Sequence, residues 1–292
     1  MLPRDISDPD HQPPMPFQAA EDYAQTVMGW AQESLPSSIV ATQGQAYGTH
    51  RLQRYDVYAP AGARNAPVLV FWHGGGWTNG YRDYNRFMAP HVVGLGMVLV
   101  TPSYRLVPAE PLPAAVHDAV TLLQVLQRDL PALGGDASRL FLGGHSAGGH
   151  LATMATLRQD LHRAAGLPTG IVRGCLPISG IMDLHHPAPA PGSLEERIYT
   201  MVLRNPAEDA AMSPLCWAVG NTVPMLLTVG ASDSERVRLS NARLEALLAL
   251  QPGPVQRQVL EGHDHFRTHT MLRDPANAWY QHLYQLQTTG IL

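Results

Sequence analysis

The sequence predicts an α/β fold in which a mostly parallel central sheet carries helices on both of its faces. Short runs of valine, leucine and isoleucine alternate along the chain with longer segments whose apolar residues recur every three or four positions. The runs are typical of strands buried on both faces, and the longer segments are typical of amphipathic helices. Because parallel strands are connected by right-handed helical crossovers, this alternation favours one sheet in a single domain over residues 1–292.

The predicted elements follow from these two patterns. Residues 51–58 alternate as in a half-buried strand, whereas the later strands are continuous apolar runs. The predicted strands are 51–58, 68–72, 97–100, 139–142, 171–178, 224–229 and 255–260. The predicted helices are 18–35, 113–130, 147–158 and 235–250.

Two proline-rich segments fall outside this alternation. Residues 1–16 are polar and are predicted to form a flexible arm. Residues 185–222 combine prolines with large apolar side chains such as Tyr199. Since long insertions in compact domains are often functional, this segment is either a small lid over a site or a packed excursion without substrate contact.

The composition narrows the classes of function. The net charge is −4 and no basic run occurs, so neither nucleic acid nor an anionic membrane is expected as a partner. All twenty cationic residues are arginine, which excludes Schiff-base, pyridoxal-phosphate-lysine and P-loop chemistry. No apolar stretch approaches the roughly eighteen residues of a membrane span, and the polar start has no signal-peptide core. A cytoplasmic location is therefore expected.

Two glycine-rich segments, each directly after a predicted strand, indicate acyl transfer. Residues 144–148 read GHSAG and have the G-x-S-x-G form of a nucleophile elbow, which places Ser146 on a tight turn between strand and helix. Gly144 and Gly148 are needed there because a Cβ atom would clash where the two backbones approach. Residues 73–77 read HGGGW and have the form of a loop that supplies oxyanion-binding amides.

The oxyanion hole is predicted from the amides of these two turns. We expect the N–H groups of Gly75 and Gly76, together with that of Ala147 at the start of the next helix, to bind the developing negative charge. His73 is expected to stabilise the loop through a hydrogen bond. Trp77, at the end of the loop, and Trp217 are predicted to contact the substrate.

The general base is predicted among the histidines that follow the last strand. In enzymes with a G-x-S-x-G elbow, the chain order of the triad is serine, acid, histidine. His265 is the first choice and His263 the second. His145 and His150 flank the serine too closely in sequence to face it across a cleft.

The orienting acid is expected at the end of the strand 224–229. Asp233 fits this position. Glu235 lies nearby but suits the start of the following helix, where an acid stabilises the helix dipole. Asp183, after the preceding strand, is the alternative.

Two other classes of function remain open at this point. His263, His265 and His269 could be the metal ligands of a metal-dependent amidohydrolase, but the chain has no partner cluster of carboxylates or thiolates, so neither a metal nor a cofactor is expected. The chain could also be a catalytically silent protein that binds a small ligand on the same fold. Candidates for all three members of a triad favour an enzyme instead.

Several segments between about residues 55 and 266 resemble the α/β-hydrolase superfamily, and kynurenine formamidase and related small carboxylesterases in particular. The similar segments are the elbow at 144–152, SGIMDL at 179–184, VGASDS at 229–234 and DHF at 264–266. This resemblance implies an α/β-hydrolase fold and a triad of Ser146, Asp233 and His265.

The glycine loop differs from that of the formamidases. That family usually has a tyrosine where Gly76 stands, whereas three glycines resemble esterases of the hormone-sensitive-lipase type. The acid loop lacks the Asp-Pro-Leu pattern common in the lipase group. The expected substrate is therefore a small molecule with either a carboxylic ester or an aryl formamide bond.

Overall fold

Strands and helices alternate through residues 12–292, which are the residues that the computed structural model describes. The strands are β1 Ile39–Ala46, β2 Arg54–Pro60, β3 Ala66–Trp72, β4 Val98–Pro102, β5 Gly135–His145, β6 Val172–Ile178, β7 Met225–Gly230 and β8 Val255–Leu260. The helices are α1 Gln18–Trp30, α2 Ala89–Gly94, α3 Leu112–Asp129, α4 Ala147–Leu157, α5 Gln159–Ala164, α6 Leu194–Arg197, α7 Glu235–Leu248, α8 Arg267–Thr270 and α9 Ala278–Thr289.

The strands form one sheet in the order β1-β2-β4-β3-β5-β6-β7-β8. The strands β3 to β8 run parallel, and β1 and β2 form an antiparallel edge. Successive side chains of a strand point to opposite faces, and β3 shows the result. Val68 and Val70 pack in the apolar cluster with α3, α4 and α7, whereas Leu69 and Phe71 pack in the cluster with α1 and α9. The predicted mostly parallel sheet with helices on both faces is confirmed.

The predicted strands and helices are all present, with ends that differ by a few residues. The strand β1 was not predicted, because its sequence IVATQGQA is polar and contains a glycine at a register shift opposite β2. The helix α1 ends at Trp30 rather than at residue 35. Pro36 disfavours helical backbone at residue 35, the last residue of the predicted helix. The helix α9 was also not predicted.

The arrangement of the parallel strands brings four functional segments to one edge of the sheet. The glycine loop follows β3, Ser146 follows β5, Asp233 follows β7 and His265 follows β8. In open α/β sheets, ligands bind outside the carboxyl ends of the strands, which is the edge in question. No helix within residues 12–292 is both long and apolar enough to cross a membrane.

Candidate active site

Ser146 occupies a sharp turn between β5 and α4. Its backbone angles, φ 55° and ψ −117°, are rarely adopted by a residue with a side chain. The turn requires glycine at both flanks: a Cβ on Gly144 would lie 2.4 Å from the carbonyl carbon of Gly148, and a Cβ on Gly148 would lie 2.1 Å from the carbonyl oxygen of Trp72. The predicted need for these two glycines is confirmed.

The structure brings Ser146, His265 and Asp233 into one chain of contacts. His265 Nδ1 lies 2.6 Å from Asp233 Oδ1, and His265 Nε2 lies 2.8 Å from Ser146 Oγ. Because a carboxylate can only accept, Nδ1 donates to Asp233, which leaves Nε2 of the neutral ring to accept the serine proton. This is the geometry that activates a hydroxyl as a nucleophile.

Asp233 is buried and held in its charged form by several donors. Besides His265, it accepts hydrogen bonds on Oδ2 from Ser179 Oγ at 2.5 Å and from the Gly230 amide at 3.0 Å. Burial alone would raise the pKa of the Asp233 carboxyl, but these hydrogen bonds outweigh it and lower that pKa below its usual value. Asp233 is therefore an anion at neutral pH, facing the imidazole.

Sequence reasoning missed the residues that support Asp233 and His265. Ser179 directly follows β6. Its hydroxyl oxygen lies 2.8 Å from that of Thr268, whose hydroxyl donates to the carbonyl of His265 at 2.7 Å. Ser179 has a φ of 48°. The available signal was the position of Ser179 at the end of the strand next to β7.

The glycine loop turns back on itself and leaves two amides free. The carbonyl of Gly75 accepts hydrogen bonds from the amides of Thr78 and Asn79, at 3.1 and 2.9 Å. Gly75 has a φ of 120°, and a Cβ there would lie 2.0 Å from the carbonyl oxygen of Asn79. The amides of Gly75 and Gly76 make no hydrogen bond within the described part of the chain, and both residues line the cavity beside Ser146.

His73 and His150 hold backbone around the site. His73 donates from Nδ1 to the carbonyl of Gly74 at 2.7 Å, and His150 donates from Nε2 to the carbonyl of Met212 at 2.7 Å. Burial lowers the pKa of both imidazoles to about 4. Both rings are thus neutral hydrogen-bonding groups, as expected for His73.

A second pair of neutral histidines lies behind His265. His145 donates from Nε2 to the carbonyl of His265 at 2.8 Å, and the hydroxyl of Tyr23 lies 2.8 Å from His269 Nδ1. The rings of His145 and His269 are stacked with centroids 5.1 Å apart. Burial lowers the pKa of His269 to about 3 and that of His145 well below its usual value. This cluster fixes the backbone that carries His265.

A cavity of about 360 Å³ opens beside Ser146. Its wall is mostly apolar and comes from three parts of the chain besides the strand-end loops. The wall residues from these parts are Met15, Pro16, Phe17, Ala19, Ala20, Tyr23, Leu194, Arg197, Ile198, Val202, Arg236 and Val237. A larger cavity of about 600 Å³ lies at the opposite ends of the strands, near Val172 and Pro224, away from the reacting groups.

The predicted arm and the unassigned segment both contribute to this cavity. Of the arm, residues 1–11 lie outside the described residues, whereas Gln12 exchanges two hydrogen bonds with the backbone of Gly80, and Asn79 donates to the carbonyl of Pro13. Residues 12–16 are therefore packed rather than free, because the loop after the glycine run offers them polar partners. Of the segment 185–222, residues 194–202 supply cavity wall.

Residues 69–269 match the sequence profile of a protein family whose description is alpha/beta hydrolase fold. This range is more than half of the chain and includes the glycine loop, Ser146, Asp233 and His265. The chain belongs to the α/β-hydrolase-fold family.

Curated relatives of this α/β-hydrolase-fold chain are named as esterases. Carboxylesterase NlhH of Mycobacterium tuberculosis is 42% identical over 108 residues, which are 36% of this chain and 34% of the relative. Isoprenylcysteine alpha-carbonyl methylesterase ICME of Arabidopsis thaliana is 32% identical over 121 residues, which are 41% of this chain and 28% of the relative. The chain thus spans about a third of the length of the curated relatives it matches.

Solved structures share the α/β-hydrolase fold over nearly the whole chain. A hyperthermophilic esterase from Pyrobaculum calidifontis has a TM-score of 0.75 at 20% identity, covering 94% of this chain and 93% of that chain. EstE1, a thermophilic carboxylesterase cloned from a metagenomic library, has a TM-score of 0.72 at 20% identity, covering 95% and 98%.

Several residues that the sequence singled out lie away from the reacting groups of this α/β-hydrolase-fold chain. Asp183 pairs with Arg243 at 3.1 Å, and His263 donates to the carbonyl of Glu261. Glu235 starts α7, as its alternative role predicted. Within residues 12–292, no group of three or more histidine, cysteine, aspartate or glutamate side chains is arranged to hold a metal ion.

The two residues predicted to contact the substrate, Trp77 and Trp217, lie in different surroundings. Trp77 is buried and lines the cavity. Trp217 does not line this cavity: its indole donates to the carbonyl of Ala211 at 2.9 Å, and its ring packs under the guanidinium of Arg158, with 3.9 Å between the guanidinium carbon and the ring centroid. The cation–π contact and the hydrogen bond hold Trp217 outside the cavity.

Proposed function

We propose that this chain hydrolyses carboxylic esters of small molecules through an acyl-enzyme intermediate on Ser146. The observation that carries the proposal is the chain of contacts from Ser146 Oγ through His265 to Asp233. The esterase names of the curated relatives support ester bonds as the first choice. The cytoplasmic location stays a prediction from the sequence.

The proposed reaction begins with attack of Ser146 Oγ on the substrate carbonyl carbon while His265 Nε2 takes the hydroxyl proton. Asp233 stabilises the imidazolium that forms, and the carbonyl oxygen becomes an oxyanion. We assign the amides of Gly75, Gly76 and Ala147 to bind this oxyanion. His265 then protonates the leaving alcohol, and a water molecule, deprotonated by the same imidazole, releases the acid.

Aryl formamides are the second candidate substrates. The acyl-transfer chemistry is the same, with a formyl group on the serine and an arylamine as leaving group. The aromatic side chains of Phe17, Tyr23, Trp77 and Phe266 on the cavity wall suit an aryl group on the substrate.

The test compares kcat/KM for para-nitrophenyl butyrate and for an N-formyl arylamine, with a chelator present. We expect hydrolysis of the ester, loss of activity in Ser146→Ala and His265→Gln, and labelling of Ser146 by a fluorophosphonate. His263→Gln is the matched control, because the hydrogen bond of that ring is to the neighbouring carbonyl of Glu261 and not to a reacting group. A preference for the formamide would make aryl formamides the first candidate substrates and carboxylic esters the second. Activity that survives in Ser146→Ala would contradict the mechanism.

A further inference from the structure

Arg236 brings a buried cation to the cavity beside Ser146. It is the second residue of α7 and directly follows the loop that carries Asp233. Its side chain lines the cavity and is only 13% exposed. An arginine that is enclosed to this extent usually has a carboxylate held in a tight, two-point contact.

Arg236 lacks such a partner. Its one ion pair within residues 12–292 is with Glu195, whose Oε1 lies 3.4 Å from Nε, and Glu195 is itself a third exposed. Nε and Nη1 are enclosed and make no hydrogen bond in the described part of the chain. Nη2 is the nitrogen of the guanidinium that is not enclosed. Since a guanidinium carries five N–H donors, most of its hydrogen-bonding capacity is unused.

Apart from Glu195, the charged side chains on the described cavity wall give Arg236 no further ion pair. Arg197 is a second cation on the same wall, and its guanidinium contacts the sulfur of Met201 at 3.6 Å. Asp264 also lines the cavity, but its Oδ1 accepts hydrogen bonds from the amides of Phe266 and Arg267, at the start of α8. Burial lowers the pKa of the Arg236 guanidinium, and Glu195 opposes that effect. Arginine nevertheless remains protonated in proteins, so the charge stays in the cavity.

We propose that the substrate carries a carboxylate that binds Arg236 while its ester carbonyl lies at Ser146. This inference rests on the proposed function and names the substrate class of that site: esters with an anionic group on either the acyl part or the leaving alcohol. Binding would supply a hydrogen-bond acceptor that Glu195, at 3.4 Å, does not provide to the guanidinium, in an enclosed wall where an unsatisfied donor is costly. A neutral ester of the same size leaves that donor unpaired.

The test uses two matched pairs of substrates. The first pair places the charge on the acyl part: the para-nitrophenyl monoester of glutaric acid against para-nitrophenyl pentanoate. The second pair places it on the leaving group: the acetyl ester of meta-hydroxybenzoate against phenyl acetate. We expect wild-type kcat/KM to favour the anionic member of at least one pair by about tenfold or more, the range of hydrogen bonds to charged groups.

Variants of Arg236 then assign the preference to this residue. Arg236→Met and Arg236→Gln remove the charge, and the ratio of anionic to neutral kcat/KM is expected to fall toward one in both. Arg243→Met, on an exposed part of the same helix, is the control and is expected to keep the wild-type ratio. No preference in either pair, or a preference that survives in both Arg236 variants, would overturn the proposal.

Binding to the Ser146→Ala variant separates this proposal from the proposed function. Calorimetric titration with the same four esters reads the carboxylate site without turnover. Tighter binding of an anionic ester that is lost in Arg236→Met supports the carboxylate site. This holds even if the wild type cleaves none of the four esters, because absent cleavage would count only against the proposed ester hydrolysis. Equal binding of anionic and neutral esters would contradict the carboxylate site.

Discussion

Ser179 Oγ lies 2.5 Å from Asp233 Oδ2, on the carboxylate oxygen that does not face His265. The two residues are 54 positions apart and meet because β6 and β7 are neighbours in the sheet. The contact fixes the orientation of the carboxylate and adds a donor to its charged form. Ser179 is thus a positioning residue for the proposed triad.

Removal of the Ser179 hydroxyl is expected to lower kcat about tenfold, because one of the donors that orient and stabilise the Asp233 anion is lost. Ser179→Ala and Ser179→Gly form a matched pair. Both lose the hydroxyl, but only glycine accepts the φ of 48° without strain, so Ser179→Gly should be more stable than Ser179→Ala by about 1 kcal/mol. Steady-state kinetics and urea unfolding measure the two effects. Wild-type kcat in both variants would contradict the positioning role.

The identity of the orienting acid can be tested by two amide substitutions. Asp233→Asn removes the acceptor of the His265 Nδ1 proton and favours the wrong tautomer, so we expect kcat to fall by about 10³ to 10⁴. Asp183→Asn should leave kcat close to wild type, since Asp183 pairs with the exposed Arg243. The reverse result would move the acid to the end of β6.

Alanine substitutions in the glycine loop are expected to differ at adjacent positions. Gly75→Ala places a Cβ 2.0 Å from the carbonyl oxygen of Asn79 at a φ of 120°, so the loop must shift and its amides with it. We expect kcat to fall by about 10²-fold or more. Gly76→Ala has ordinary space, with its nearest neighbour atom at 3.8 Å and a left-handed φ of 61°, and should lose much less. Equal losses at both positions would indicate that the Gly75 backbone does not set the amide positions.

Mild acid is expected to destabilise the protein through its buried neutral histidines. His73, His150 and His269 have folded-state pKa values of about 4, 4 and 3, and the pKa of His145 is also lowered. Their contribution to stability is complete above the unfolded pKa of about 6.5 and is lost as the pH falls toward the folded values, because only the unfolded chain takes up the protons.

The slope is on the order of 1.4 kcal/mol per pH unit for each such histidine. Urea unfolding between pH 7.5 and 4.5 measures it, and proton uptake on unfolding gives an independent value. A free energy of unfolding that stays constant from pH 7 to pH 5 would contradict the lowered pKa values of these rings in the folded state.

Residues whose position follows from the order of strands could be predicted from the sequence. His265 follows the last strand and Asp233 the one before it, and the structure brings both to Ser146; their catalytic roles stay predictions. Ser179 and Thr268 could not be found in this way, because they meet across 89 positions through a single contact between hydroxyls. No periodic pattern marks such a pair.

The surroundings of Trp217 and Arg236 also could not be predicted from the sequence pattern. Trp217 belongs to an irregular segment where aromatic content alone suggested substrate contact, and its partner Arg158 lies 59 positions earlier, at the end of α4. Arg236 looks like any charged residue in the first turn of a surface helix. Its pairing with Glu195 joins residues 41 positions apart, which local spacing does not encode.

The reacting groups and much of the cavity wall come from different parts of this chain. The reacting groups come from loops whose places are dictated by the sheet, and small changes there disturb several contacts at once. Met15 to Phe17 and Leu194 to Val202 instead approach from segments outside the sheet that carry none of the reacting groups. Chains with the same sheet can therefore diverge in what they admit while the chemistry stays constant, and grafting these two segments between relatives is the direct route to a new substrate range.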